Sequence, residues 1–173
     1  YQGVRKLLWP DIVKRSSKII SFFDLAGHEK YLKTTIMGLS AVSPDMCMIM
    51  VAANRGVLRM TKEHIFLCLA LKIPFFITIT KIDLVKDKPN ILKKTLASII
   101  SIVKHPGVRR IPLKIKNKSD IIRSALHINT ETIVPIFFIS NVTKEGIENI
   151  QTFFNLSQKN TPNDIISKNV EYY

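Results

Sequence analysis

Four short apolar runs dominate the chain. Each ends in polar residues, and each is followed by a stretch with helical spacing. The runs are residues 18–23 (KIISFF), 45–53 (DMCMIMVAA), 74–80 (PFFITIT) and 134–139 (VPIFFI). Unbroken apolar runs of this length belong to strands covered on both faces. Strands separated by helices are joined by crossovers and lie parallel. The expected fold class is therefore α/β, a parallel sheet with helices on both faces.

The helical stretches are residues 29–39, 61–72, 89–104 and 144–156. Thr61 is expected to cap the second and Pro89 to open the third. His105-Pro106-Gly107 stops the third. The basic lead-in, residues 1–17, contains Trp9-Pro10, which is expected to break any helix there. Residues 109–131 are polar and basic, with a short strand expected at 109–115 and a short helix near 120–126. They read as an insertion on the surface. Residues 157–173 read as a polar linker, which leaves 18–156 as the domain.

In open α/β sheets, ligands sit beyond the carboxyl ends of the strands. Each apolar run delivers polar residues there: Asp24 to His28, then Asn54-Arg55-Gly56, then Thr80 to Asp83, then Ser140-Asn141. Any one of these motifs is weak. Four in order on successive strand ends describe one site.

Three of them resemble the motifs of a GTPase. Asp24-Leu25-Ala26-Gly27-His28-Glu29 resembles D-x-x-G in its G-H-E form. Thr80-Lys81-Ile82-Asp83 resembles [NT]-K-x-D, and Ser140-Asn141-Val142 resembles the loop under the guanine base. Over residues 8–156 the chain resembles the GTP-binding protein 1 and 2 family. These are elongation-factor-like translational GTPases related to elongation factor 1-alpha. The resemblance implies a P-loop NTPase-type fold, the G domain, with GTP as substrate and Mg2+ as cofactor. It implies that Asp24 holds the magnesium through a water, that Gly27 offers its N–H to the γ-phosphate, and that His28 orients the attacking water. Asp83 would accept from guanine N1–H and N2–H₂, which rejects adenine. Lys81 would lie along the purine, and N–H groups of Ser140, Asn141 and Val142 would meet the guanine O6. Thr80 stands where most GTPases have asparagine, as it does in the related family. The partners implied for a full-length protein are the ribosome or aminoacyl-tRNA, and the implied setting is a cytoplasmic monomer.

The phosphate-binding loop G-x-x-x-x-G-K-[ST], whose N–H groups cradle the phosphates, does not occur in these residues. Gly27 to Thr34 imitates it, but Leu32 stands at the second glycine. No threonine precedes Lys18 to serve as the first-switch ligand. The G domain is therefore expected to be N-terminally incomplete here, with the loop upstream. Residues 1–173 alone are expected to fold poorly and to bind GTP weakly or not at all. The alternative is a non-catalytic pseudo-GTPase module that binds RNA or protein through its basic surface.

Twenty-six Lys and Arg against 13 Asp and Glu give a net charge of +13. Such a field favours polyanions. Heavy use of Lys, Ile and Asn, as in AT-rich coding, explains it equally well. No apolar run reaches the roughly 18 residues of a membrane span. Cys47 and Cys68, 21 positions apart in apolar segments, have no metal-ligand spacing and read as buried free thiols. His64, His105 and His127 read as structural or solvated, and Lys30 and Lys33 as facing solvent in preference to touching RNA.

Overall fold

The structure, a computed structural model, describes residues 8–158. The ten regular elements among them are helix α1 (Trp9–Arg15), helix α2 (Leu32–Val42), strand β1 (Cys47–Ala52), helix α3 (Arg59–Ala70), strand β2 (Phe75–Thr80), helix α4 (Pro89–Lys104), strand β3 (Ile111–Lys114), helix α5 (Lys118–His127), strand β4 (Ile133–Phe138) and helix α6 (Ile147–Leu156). Short 3-10 turns occupy Glu29–Tyr31, Ile82–Val85 and Ile128–Thr130.

The strands form one sheet in the order β1-β2-β4-β3, and every pairing is parallel. Cys47 lies opposite Phe75 and Ala52 opposite Thr80, so β1 and β2 end together. Ile77 lies opposite Ile136, and Ile111 opposite Ile133. The α/β reading holds, with helices on both faces. On one face, Ile65 and Cys68 of α3 and Ile99 and Val103 of α4 close over Ile49, Val51, Ile77 and Ile136. On the other, Ile121 and Ala125 of α5 and Ile150 and Phe153 of α6 close over Phe76 and Phe137. The rings of Phe76, Phe137 and Phe153 meet edge-on or tilted at centroid distances of 5.1–5.6 Å, an arrangement aromatic quadrupoles favour.

Four expectations change. Residues 18–23 form no strand. A strand exists only where a neighbour takes up its N–H and C=O groups, and among the described residues nothing pairs with this segment. Its side chains stay in water instead: Ile19, Ile20, Phe22 and Phe23 are 47, 41, 71 and 61% exposed. Lys18 Nζ donates to the terminal carbonyls of α6, those of Phe154 (2.7 Å), Asn155 (2.9 Å) and Ser157. The Phe22 ring meets Phe154 edge-on at 5.5 Å.

The second change is at Trp9-Pro10, which opens α1 rather than breaking it. A proline in the first turn has no hydrogen-bonded N–H to lose. Third, α3 starts two residues before Thr61, after Leu58. Thr61 lies at the third helical position, and its hydroxyl reaches back to accept from Leu58 N–H at 3.3 Å. Fourth, residues 109–131 lie only partly on the surface. They supply β3 to the sheet, and Ile115, Ile121, Ala125 and Ile128 to one of the two cores. Their many lysines and arginines hide a spaced set of isoleucines. The end expected to be a polar linker falls largely outside the described residues, as does the start of the basic lead-in.

Candidate functional site

The carboxyl ends of β2 and β4 build one half of the site. After Thr80 the chain turns at Lys81, whose φ of +57° is left-handed. That turn sends the next three residues back across the strand end. Ile82 N–H donates to Ile139 O at 3.4 Å, and Ile139 N–H donates to Ile79 O at 2.9 Å, so the two loops are tied through backbone. The Ser140 hydroxyl donates to Asp83 Oδ1 at 2.5 Å. The same oxygen accepts from Val142 N–H at 3.2 Å and Thr143 N–H at 3.1 Å. Ser140 is fully buried, and its own N–H donates to Glu145 O at 3.0 Å. One hydroxyl therefore fixes both the carboxylate and the loop that passes beside it. Asp83 is half-buried, and its Oδ2 takes part in no bond among the described residues. Asn141 and Val142 are exposed, with Val142 at 80%. The N–H groups of Ser140, Val142 and Thr143 are thus taken up within the loop, and Asp83 Oδ2 and the Asn141 N–H are the groups left without a protein partner among the described residues. That combination suits a planar ligand with adjacent donors and an acceptor.

The loop depends on Gly146, which precedes α6 with φ +75°. A Cβ there would lie 2.0 Å from Phe138 O, so only glycine fits between the loop and its strand.

The other half of the site is Asp24, Gly27 and His28, on an extended loop that leads into the turn before α2. Asp24 is exposed, and among the described residues its carboxylate has no hydrogen bond or ion pair. No atom lies within 4 Å of where a Cβ of Gly27 would be. The backbone there is open to close approach by a ligand. His28 Nδ1 accepts from Lys30 N–H at 3.1 Å. In the neutral ring the proton then sits on Nε2, which is left to face solvent as a donor. The ring also meets Tyr31 edge-on at 6.2 Å.

Two supports of this loop were not evident in the sequence. Thr35, 3% exposed on α2, donates its hydroxyl to Ala26 O at 2.8 Å and so pins the loop to the helix. Glu29 pairs with Arg59, the first residue of α3, at 3.7 Å. Both groups are largely exposed, so the pair orients more than it stabilises. A threonine on the inner side of α2 carried a signal that could have been read; the Arg59–Glu29 pair carried none. No hydrogen bond or ion pair among the described residues joins 24–28 to 80–83 or 140–142.

The remaining histidines have structural surroundings. His64 lies on α3, and burial holds its imidazole below the usual range, against the pull of Glu63. His105 Nδ1 accepts from Gly107 N–H at 3.2 Å where α4 ends. His127 closes α5. Among the described residues no group of three or more His, Cys, Asp or Glu could hold a metal ion, and no helix is long and apolar enough to cross a membrane.

A family model described as the elongation factor Tu GTP binding domain matches residues 11–163. The chain belongs to that family. It is 49% identical over 150 residues to GTP-binding protein 1 of Xenopus laevis, a match covering 87% of this chain and 23% of that protein. It is 38% identical over 147 residues to GTP-binding protein 2 of Homo sapiens, covering 84% of this chain and 24% of that protein. Elongation factor 1-alpha of Methanosphaera stadtmanae is 43% identical over 84 residues, covering 46% of this chain and 20% of that protein. The chain thus spans about a quarter of the length of the first two relatives. This is an elongation-factor-type GTP-binding domain, and GTP hydrolysis is the activity its family implies in general.

Proposed function

We propose that the chain is part of the GTP-binding domain of an elongation-factor-like GTPase, and that the full-length protein hydrolyses GTP. The observation that carries this reading is the Ser140–Asp83 bond, which holds a carboxylate with one free oxygen beside the loop of Asn141, whose N–H has no protein acceptor among the described residues. Asp83 accepts from guanine N1–H and N2–H₂. Lys81 and Thr80 flank the purine, and of the three loop N–H groups expected at O6 the Asn141 N–H is the free one, since those of Ser140 and Val142 are held by Glu145 O and Ser140 Oγ. Gly27 approaches the γ-phosphate, which the open space around its Cα allows. His28 offers Nε2–H to the attacking water or to the phosphate it approaches, an orientation its Nδ1 bond supports.

A hard divalent cation fits Asp24. Mg2+ is commonly held by one or two carboxylates together with water and phosphate oxygens, and Asp24 is a carboxylate with no protein partner among the described residues. When bound, the cation would neutralise charge on the β- and γ-phosphates. The phosphate cradle is expected upstream of these residues, so residues 1–173 alone are expected to bind GTP weakly. For the whole protein the reading extends to a cytoplasmic monomer that meets the ribosome or aminoacyl-tRNA. Its support is the likeness to elongation factor 1-alpha and the charge of +13.

The test is base preference in the full-length protein. Asp83→Asn should weaken guanosine nucleotides by about a hundredfold or more and favour xanthosine nucleotides, whose 2-oxo group accepts from the new amide. Titration with fluorescent GDP and XDP reads it. Guanine preference that survives the substitution removes Asp83 from base recognition.

A further inference from the structure

The amino-terminal end of the sheet, opposite the nucleotide end, holds a pair of thiols that the GTPase reading does not use. Cys47 is the first residue of β1, and Cys68 lies in the last turn of α3. Two adjacent residues hold them together. Cys68 O accepts from Ile73 N–H at 2.8 Å, and Cys47 N–H donates to Pro74 O at 2.8 Å. Cys68 is 2% exposed in the core beneath α3, and Cys47, half-buried, packs against that core. Cys47 lies on the face of β1 that carries Ile49 and Val51, the face α3 covers, so both thiols enter the same core within hydrogen-bonding reach of each other.

A buried cation lies beside them. The Arg110 guanidinium stacks 5.0 Å over the ring of Phe75, the residue opposite Cys47 in the sheet. Arg110 is 8% exposed, is ion-paired to Glu131 through Nη2, and has a buried Nη1 without a partner. Its charge favours the thiolate of Cys68. The hydrogen bond from Cys68 holds the Cys47 thiol below its ordinary range, against the effect of burial. The same bond, together with burial, holds Cys68 above its ordinary range. The two sulfurs are therefore unequal: Cys47 is half-buried and within reach of solvent, and Cys68 is buried beside it as a second thiol.

We propose that Cys47 and Cys68 are an oxidisable dithiol, a modification site at which hydrogen peroxide closes an intramolecular disulfide between β1 and α3. The Cys47 thiolate attacks one peroxide oxygen, the O–O bond breaks, and the departing hydroxide takes a proton to become water. Cys47 is then a sulfenic acid. Cys68 gives up its proton and attacks the Cys47 sulfur, the S–O bond breaks, and the hydroxyl leaves as a second water. The dithiol loses two electrons and two protons, and the peroxide gains them. Neither step uses the nucleotide site.

The test is peptide mapping of the folded full-length protein after brief exposure to hydrogen peroxide, alkylation of the remaining thiols and digestion with trypsin. Residues 34–55 and 63–72 should be recovered as one linked species, two hydrogens lighter than the sum of the peptides, and separated by reductant. The link should form about tenfold or more faster in the folded protein than in urea, where the chain between the cysteines must close as a loop. Cys68→Ser should leave Cys47 as a sulfenic acid that dimedone traps, and Cys47→Ser should leave Cys68 as a free thiol. Both cysteines recovered as alkylated thiols, a link only between separate molecules, or equal rates in the folded protein and in urea would each overturn the proposal.

Discussion

At the scale of single residues, the two halves of the site differ in how firmly their groups are held. Asp83 is fixed by a buried hydroxyl that is itself bonded three times. His28 is fixed by one bond to the Lys30 N–H and by a ring contact. In the full-length protein, His28→Ala should slow single-turnover hydrolysis by about a hundredfold or more while leaving GTP affinity nearly unchanged. Equal turnover would remove the imidazole from the reaction. Ser140→Ala is expected to act on the opposite quantity. It frees two loop N–H groups and one carboxylate oxygen, and loss of one such bond costs about 1–2 kcal/mol. GDP affinity, read by fluorescence titration, should fall about tenfold or more, with the hydrolysis rate of bound GTP little changed. Sequence alone pointed to Asp83 and Ser140, because each sits in a short recognisable motif. It could not pair them, since 57 positions separate the two and no local rule links them.

At the scale of elements, the best-read segments were those whose own chemistry decides their structure. PFFITIT is β-branched and aromatic throughout and became β2, and α4 runs over Pro89–Lys104 as its proline and spacing indicate. Residues 18–23 carry nearly the same apolar signal and form no strand. Hydrophobic pattern reports that a segment suits burial, but pairing requires another backbone, and that information is not local. Residues 109–131 misled in the opposite way, because charge concealed four buried side chains. The element that depends most on a single residue is the loop before α6. Gly146→Ala puts a Cβ on Phe138 O and keeps a side chain in a left-handed conformation. The expected loss is about 2–4 kcal/mol, read as a lowered urea midpoint. An unchanged midpoint would mean that the loop has another conformation available to it.

At the scale of the whole molecule, the two cores close over the same sheet, and among the described residues its edge strands β1 and β3 each pair on one side only. On β1, Met48 and Met50 are 37 and 50% exposed. This margin offers unpaired backbone beside apolar side chains, a combination that recruits other strands, and residues 19–23 expose further apolar side chains elsewhere. Residues 1–173 alone are therefore expected to self-associate as concentration rises. Met50→Lys should reduce that association several-fold in light scattering, because a charged side chain on an edge strand opposes pairing. Scattering that does not respond to the substitution would place the contact elsewhere.

The lack of any bond between the loop of Asp24 and the loop of Asp83 has a consequence of its own. Base identity and phosphate number are different messages, and on the proposed reading they arrive at separate receivers. The guanine edge is the same in GTP and GDP, so the receiver at Asp83 is blind to the state of the nucleotide. On the proposed reading, the loop at residues 24–28 is the part of the described residues that registers that state. The two channels can therefore fail one at a time: a variant that loses its choice of base can keep its clock, and one that loses its clock can go on choosing guanine.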